Sequence, residues 1–361
     1  MIEKKEAATM DGNNLKQMHP KDNELSEFSL ADFEAETDKL ISDLNESKGL
    51  FLIKSANKWM QEASSRPIPK MLFDAFWFQG EVCILFADTN LGKSILAVQI
   101  GEAISKGVAI NGFRNEAEKQ AVLYYDFELS DKQFENRYSI NYTKHHYFDD
   151  NFKRIEINPD ATVPDGSTFE DYLNFSLEKS IKETGAKVLI IDNLTYLKNE
   201  TEKAKDALPL MKHLKALKSK YNLSILALAH TPKRDLNKPI NRNDLQGSKM
   251  LINFTDSCFA IGESHNDKHL RYLKQIKARN TEILYDTENV VLCQIEKPEN
   301  FLGFEFLGYG AEREHLKELS SNDREKNISE AKELRSQGFT QRQIATQLGI
   351  SLGAVNKYLK M

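Results

Sequence analysis

One stretch constrains the fold of this chain more than any other. The apolar run Val82–Phe86 passes through a short polar loop into the periodic segment Ile95–Ile104. An apolar strand, a loop ending Gly-Lys-Ser and a helix, in that order, make a phosphate-binding loop. Successive backbone N–H groups wrap the anion, and the helix N-terminus adds its positive dipole end. Gly92 lets the backbone approach closely, Lys93 reaches the terminal phosphates, and Ser94 holds Mg²⁺. The candidate nucleotide contacts are Ala87, Asp88, Thr89, Asn90, Leu91, Gly92, Lys93, Ser94 and Ile95. The loop departs from GxxxxGK[ST] at one position, where Ala87 stands for the first glycine.

The surroundings suit such a loop. From about residue 71 to 308, apolar runs alternate with helical stretches. Strands are predicted at Val82–Ala87, Ala121–Phe127, Val188–Asp192, Ser224–Ala229, Ser257–Ile261 and Leu270–Ile276. Helices are predicted at Lys93–Lys106, Asp131–Tyr138, Phe169–Thr184 and Ala204–Tyr221, with added antiparallel strands over Thr281–Leu307. The pattern predicts an α/β fold around a mostly parallel sheet covered on both faces.

Three strand ends carry polar groups. Asp192 closes the run Val188–Ile191 and can bind a Mg²⁺-held water, or simply cap the next element. Asp126 and Glu128 follow another strand, and either can orient an attacking water. Alternation along the strand favours Glu128 and makes Asp126 structural. His230 ends the run from Ser224 and can contact a terminal phosphate, or sit as a satisfied core-edge histidine.

Length and composition bound the alternatives. The 361 residues suggest two to three units. The net charge of −5 excludes a wholly basic nucleic-acid coat, and Cys83, Cys258 and Cys293 lie too far apart for a disulfide framework or a CxxC metal pair. No stretch reads as a signal peptide or a membrane span, so a cytoplasmic protein is expected. Residues 1–50 carry six lysines against twelve acidic residues. Their first part, 1–26, reads as a disordered acidic tail. Residues 27–70 read as an N-terminal helical segment that ends at a proline-marked boundary.

The C-terminal end has the opposite sign: Arg324–Met361 holds seven Lys/Arg and three Glu. Within it, Gly338–Lys360 reads as helix, tight turn at Gly349, and helix. Ser351 would cap the second helix, whose exposed face offers Ser351, Asn356 and Lys357 to a DNA major groove. This unit resembles the helix-turn-helix of resolvases and response regulators.

Taken in order, the motifs resemble the RecA-like ATPase core and, within it, the RepA- and DnaB-type hexameric helicase group. Ala87 matches the Ala-x-x-x-x-Gly-Lys-Ser/Thr loop of the DnaB type, and His230 is closer to the RepA type. FELSDKQFENR is similar to the group's strand-two motif and gives Glu128 the catalytic-base role. KQIKARN resembles its Lys-x-Arg-Asn motif, so Lys277 and Arg279 are expected to reach a neighbouring subunit's nucleotide. The resemblance implies ATP and Mg²⁺ as cofactors and a homo-oligomer, a hexameric ring. It makes the loop bearing Lys233, Arg234, Lys238 and Arg242 the lining of a channel for single-stranded DNA, with duplex DNA at the C-terminal unit. The implied organisation is an ATPase domain over 71–310, a linker over 311–327 and a helix-turn-helix module over 328–361. The implied function is an ATP-hydrolysing RepA-like helicase of a plasmid or other mobile element. The alternative is an ATP-switched DNA-binding regulator or loader that does not unwind.

Overall fold

The structure is a computed structural model that describes residues 51–194, 207–232, 234–245, 248–317, 321–348, 350 and 352–361. It divides into two compact units, Met1–Pro67 and Ile68–Met361. In the first, the described residues include one helix, α1 (Ala56–Ser64), capped by the Ser55 side chain, with none of its residues buried. The acidic tail over 1–26, and most of the amphipathic segment expected from residue 28, lie outside the described residues.

The second unit is built on a sheet of nine strands. Ahead of it, β1 (Met71–Phe73) and β2 (Trp77–Phe78) form a small antiparallel pair. The chain then runs β3 (Val82–Ala87), α2 (Lys93–Lys106), β4 (Val122–Asp126) and α3 (Asp131–Arg137). A short pair, β5 (Ser139–Ile140) and β6 (Lys144–His145), precedes β7 (Phe152–Ile155) and α4 (Phe169–Thr184). Next come β8 (Val188–Asp192), α5 (Ala207–Tyr221), β9 (Ser224–His230), α6 (Ser248–Phe254) and β10 (Ser257–Glu263). Three antiparallel strands close the sheet: β11 (Leu270–Lys277), β12 (Val290–Glu296) and β13 (Gly303–Gly310). The sheet order is β13-β12-β11-β10-β3-β9-β8-β4-β7, parallel from β10 to β7. This is the mostly parallel α/β layout that the sequence predicts.

Side-chain alternation explains why the sheet is buried on both faces. Val82, Ile84 and Phe86 enter one apolar core, while Cys83, Leu85 and Ala87 enter the other. The helices that cover them begin and end on local signals. Thr168 and Asp171 form a capping box at the start of α4, and Gly185 closes it in the left-handed region. Ser130 and Gln133 form a capping box for α3.

Register then brings the polar strand ends together. Ala87 pairs with His230, and Asp126 pairs with Asp192. All four lie at the carboxyl edge of the parallel strands, where open α/β sheets bind ligands.

Two features depart from the sequence expectation. The edge strand β7 was not anticipated, because Phe-Lys-Arg-Ile is short and half charged. The stretch 311–327, expected as a linker, is partly built into the core. Glu312–His315 forms a 3₁₀ turn in which Glu312 is fully buried, and α7 (Ser321–Ser336) begins ahead of the expected module. The reason is an ion pair: Lys274 of β11 meets Glu312 in the interior. Beyond α7, α8 (Gln341–Leu348) and α9 (Leu352–Tyr358) close a small core of Ala331, Ile344, Val355 and Tyr358.

Candidate nucleotide site

The loop after β3 folds back tightly before α2. Asn90 and Gly92 both take left-handed backbone conformations, with φ of 63° and 96°. A Cβ on Gly92 would lie 2.7 Å from Ile295 Cδ1 and 3.0 Å from Phe304. Glycine is therefore needed twice over: for its φ, and for the close approach of the β12–β13 hairpin. The fold brings Ala87, Asp88, Thr89, Leu91, Ser94 and Ile95 into the same strand–loop–helix turn.

Lys93 is buried at the start of α2. Its Nζ donates to Ala87 O at 3.1 Å and Asp88 O at 3.0 Å, and lies 3.3 Å from His230 Nδ1. Burial pulls its pKa down from the usual lysine value, while the carboxylates of Asp192, Glu128 and Asp88 work the other way. An ammonium can only donate, so His230 Nδ1 accepts from Lys93 and the ring proton sits on Nε2. That nitrogen is 3.4 Å from Glu128 Oε1. The His230 hydrogen bond holds the Glu128 carboxyl below its ordinary pKa, and Lys93 contributes further. Lys93, His230 and Glu128 thus form one chain of contacts across three strand ends.

Sequence reading missed one member of this group. Asn193, buried just past β8, donates from Nδ2 to Glu128 Oε1 and lies 3.2 Å from His230 Nε2. No motif marks it; only the sheet order reveals it.

Asp192 has the features of a cation ligand. It is fully buried, Tyr124 OH donates to its Oδ2 at 2.8 Å, and among the described residues its Oδ1 accepts no hydrogen bond. Burial pushes its pKa up to about 6, against the lowering influence of Ser94 and Tyr124. A desolvated carboxylate oxygen without a donor, beside the Ser94 hydroxyl, fits Mg²⁺. No cluster of three or more His, Cys, Asp or Glu ligands occurs among the described residues. Mg²⁺ here would rest on one carboxylate, one hydroxyl and the nucleotide's own phosphates, which is its usual habit.

Asp126 is engaged elsewhere. It accepts from the backbone N–H groups of Glu128 and Leu129, and from Arg154 Nε at 2.9 Å. Arg154 also holds Asp131 Oδ1 and Leu129 O. Asp126 and Arg154 therefore shape the turn that carries Glu128.

Lys277 and Arg279 are not at this site. Lys277 pairs with Cys258 near the amino end of β10, and β10 begins opposite Cys83. They sit at the opposite edge of the sheet, about 13 Å of strand away from the phosphate loop of their own chain. Lys277 Nζ donates to the carbonyls of Ile252 and Thr255, and Arg279 Nη1 donates to Asp256 Oδ1 at 3.0 Å.

In the basic loop, Arg234 and Lys238 have partners within the chain. Arg234 donates to Lys238 O at 3.0 Å, and Lys238 pairs with Asp235 at 2.8 Å. Ile240 is buried, with its N–H on Glu312 and its carbonyl on Lys274. Arg242 is exposed in a 3₁₀ turn. On α9, Asn356 and Lys357 are exposed while Val355 and Tyr358 are buried. Lys233, Gly349 and Ser351 lie outside the described residues. No helix among the described residues is long and apolar enough to cross a membrane.

An AAA domain family model matches residues 54–235, half of the chain. Among solved structures, the KaiC-like protein PH0186 from the hyperthermophilic archaeon Pyrococcus horikoshii OT3 is similar over 66% of this chain and 100% of that one. Its identity is 13% and its TM-score 0.45. No curated protein matches the sequence.

Proposed function

The chain belongs to the AAA-domain family of P-loop ATPases, and from that premise we propose that it is an ATP-hydrolysing motor acting on DNA, a RepA-like helicase. The observation that carries the reading is the convergence of Lys93, His230 and Glu128 on one strand edge, next to the donor-free oxygen of Asp192.

In this mechanism the loop N–H groups cradle the phosphates of ATP. Lys93 leaves the carbonyls of Ala87 and Asp88 for the β- and γ-phosphates. Ser94 and Asp192 would hold Mg²⁺, which when bound would supply charge neutralisation at the phosphates. Glu128 orients the attacking water and accepts its proton, a role worth about 10²–10⁴ in rate. His230, in contact with both Lys93 and Glu128, responds to the presence of the γ-phosphate. Arg279 acts on the nucleotide of a neighbouring copy, since it lies far from its own. That demands a head-to-tail assembly, and a closed one is a ring such as a hexamer. Exposed basic side chains such as Arg242 would track single-stranded DNA. The C-terminal helices would hold duplex DNA through Asn356 and Lys357.

A second reading is an ATP-switched DNA-binding regulator or loader without unwinding. The self-paired state of Arg234 and Lys238 favours it, because it leaves fewer cations free for a translocating strand.

Steady-state ATP hydrolysis with no DNA, single-stranded DNA and duplex DNA separates the two, with Lys93→Ala as background. The motor predicts single-strand stimulation and ATP-dependent strand separation. Slow turnover with ATP-dependent DNA binding and no separation would move the assignment to the regulator.

A further inference from the structure

We propose that Asn193 is a positioning residue for Glu128: it holds the carboxylate in the orientation used for hydrolysis, alongside His230. The inference rests on the reading of Glu128 as the base, and it adds a residue that no motif points to.

Topology supplies the first argument. In the sheet order β8 lies between β9, which ends in His230, and β4, which leads to Glu128. The first residue past β8 is therefore one strand away from both. That residue is Asn193, only 3% exposed.

Hydrogen-bond chemistry supplies the second. With Lys93 donating to Nδ1, the His230 proton is on Nε2, directed at Glu128 Oε1. The Asn193 amide donates to that same oxygen. Both donors meet Oε1, so Oε2 is the oxygen available to take a proton from water.

The two donors differ in permanence. Glu128 stands on a loop with its side chain 39% exposed, so ordering it costs rotamer entropy. The His230 contact is tied to Lys93, which must move when phosphates arrive. Asn193 is neutral, buried and fixed to a strand end. It can keep Glu128 in place through that change, and small errors in such placement are costly in rate.

The test is a mutant cycle on the full-length protein. Asn193→Ala is expected to lower kcat about 10- to 100-fold, with KM for ATP within about threefold of the parent. In a Glu128→Gln background, followed by single-turnover hydrolysis of radiolabelled ATP, the same change is expected to cost less than about threefold. A residue that merely supports the fold would give the same loss in both backgrounds, and that result overturns the proposal. So does an Asn193→Ala protein with parental kcat. Asn193→Asp keeps the shape, removes the donor and adds a like charge, so it is expected to be no better than alanine. Parental activity in that variant also overturns the proposal. If Glu128→Gln alone hydrolyses at the parental rate, the base assignment fails and this inference falls with it. If Glu128→Gln is inactive while Asn193→Ala is silent, only the inference falls.

Discussion

The two edges of the central sheet both carry charged groups but treat them differently. At the amino edge, Asp256 accepts from Lys218 at 2.8 Å, from Arg279 at 3.0 Å and from the backbone of Val82. Lys277 is spent on two carbonyls. These groups satisfy one another and fasten α5, α6 and the strand starts. At the carboxyl edge, Lys93 rests on loop carbonyls that a phosphate can replace, and an oxygen of fully buried Asp192 has no donor among the described residues. Buried polar groups are ordinarily paired. The amino edge leaves one unpaired as well, Glu81 Oε1, among the described residues. What sets the carboxyl edge apart is that its unpaired oxygen stands beside a lysine held on exchangeable partners, an arrangement for a ligand. The contrast separates scaffold from site without any appeal to motif.

Arg279 is the largest challenge to that division, because it sits on the scaffold edge yet is half exposed. If it acts on a neighbour's nucleotide, Arg279→Ala should lower hydrolysis about 10³–10⁵-fold in the assembled protein. Mixing it with Lys93→Ala should restore part of the activity, because intact site and intact arginine then meet across one interface. No recovery on mixing, with both proteins assembled, would return Arg279 to the scaffold.

The next largest effect concerns stability alone. Lys274 and Glu312 are both buried, and Glu312 also holds Ile240 N and Tyr272 OH. Glu312→Ala strands the lysine and should cost about 3–5 kcal/mol in chemical denaturation. A loss below about 1 kcal/mol would mean that water reaches the pair.

These cases show what sequence can and cannot reveal. The phosphate loop, and the polar residues at the ends of β4, β8 and β9, were legible because each follows an apolar run whose period sets its position. Asn193 was not, since its role depends on which strands flank β8, and strand order is not written in local pattern. Glu312 was hidden for the same reason. In sequence it belongs to a charged stretch that reads as linker, and only pairing with Lys274 makes burial tolerable. The edge strand β7 carries Lys153 and Arg154, so its alternation is masked, yet Arg154 turns out to shape the Glu128 loop. Lys277 and Arg279 were read as a pair, and the structure gives them different surroundings.

Asp192 gives a prediction of opposite sign to most carboxylates. Burial pushes its pKa up to about 6 in the folded chain, above the ordinary aspartate value of 3.8. Between those values the folded chain keeps a proton that the unfolded chain has released. Stability of the metal-free protein should therefore fall as pH rises through that window, by about 3 kcal/mol in total. Asp192→Asn removes the penalty. It should match the parent near pH 4, exceed it in stability near pH 8, and lose Mg²⁺-dependent hydrolysis. Equal stability at pH 8 would show that the carboxylate is already relieved by water.

The smallest expected effect sharpens the comparison most. Lys277 and Arg279 lie two residues apart, but Lys277 Nζ is taken up by the carbonyls of Ile252 and Thr255 beside the end of α6. Burial, with the nearby Arg279 charge, pulls its pKa below the usual lysine value. Moving it to a neighbour's phosphate would leave those carbonyls unsatisfied. Lys277→Met keeps the stem's packing and removes the donor. It should cost about 1.5–3 kcal/mol of stability, the range for hydrogen bonds to a charged group, while hydrolysis by the assembled protein changes less than about threefold. The reverse pattern, unchanged stability with hydrolysis down a hundredfold, would show that Lys277 leaves its carbonyls to serve the adjacent nucleotide. The amino edge would then be scaffold in the lone chain and part of the active site in the assembly.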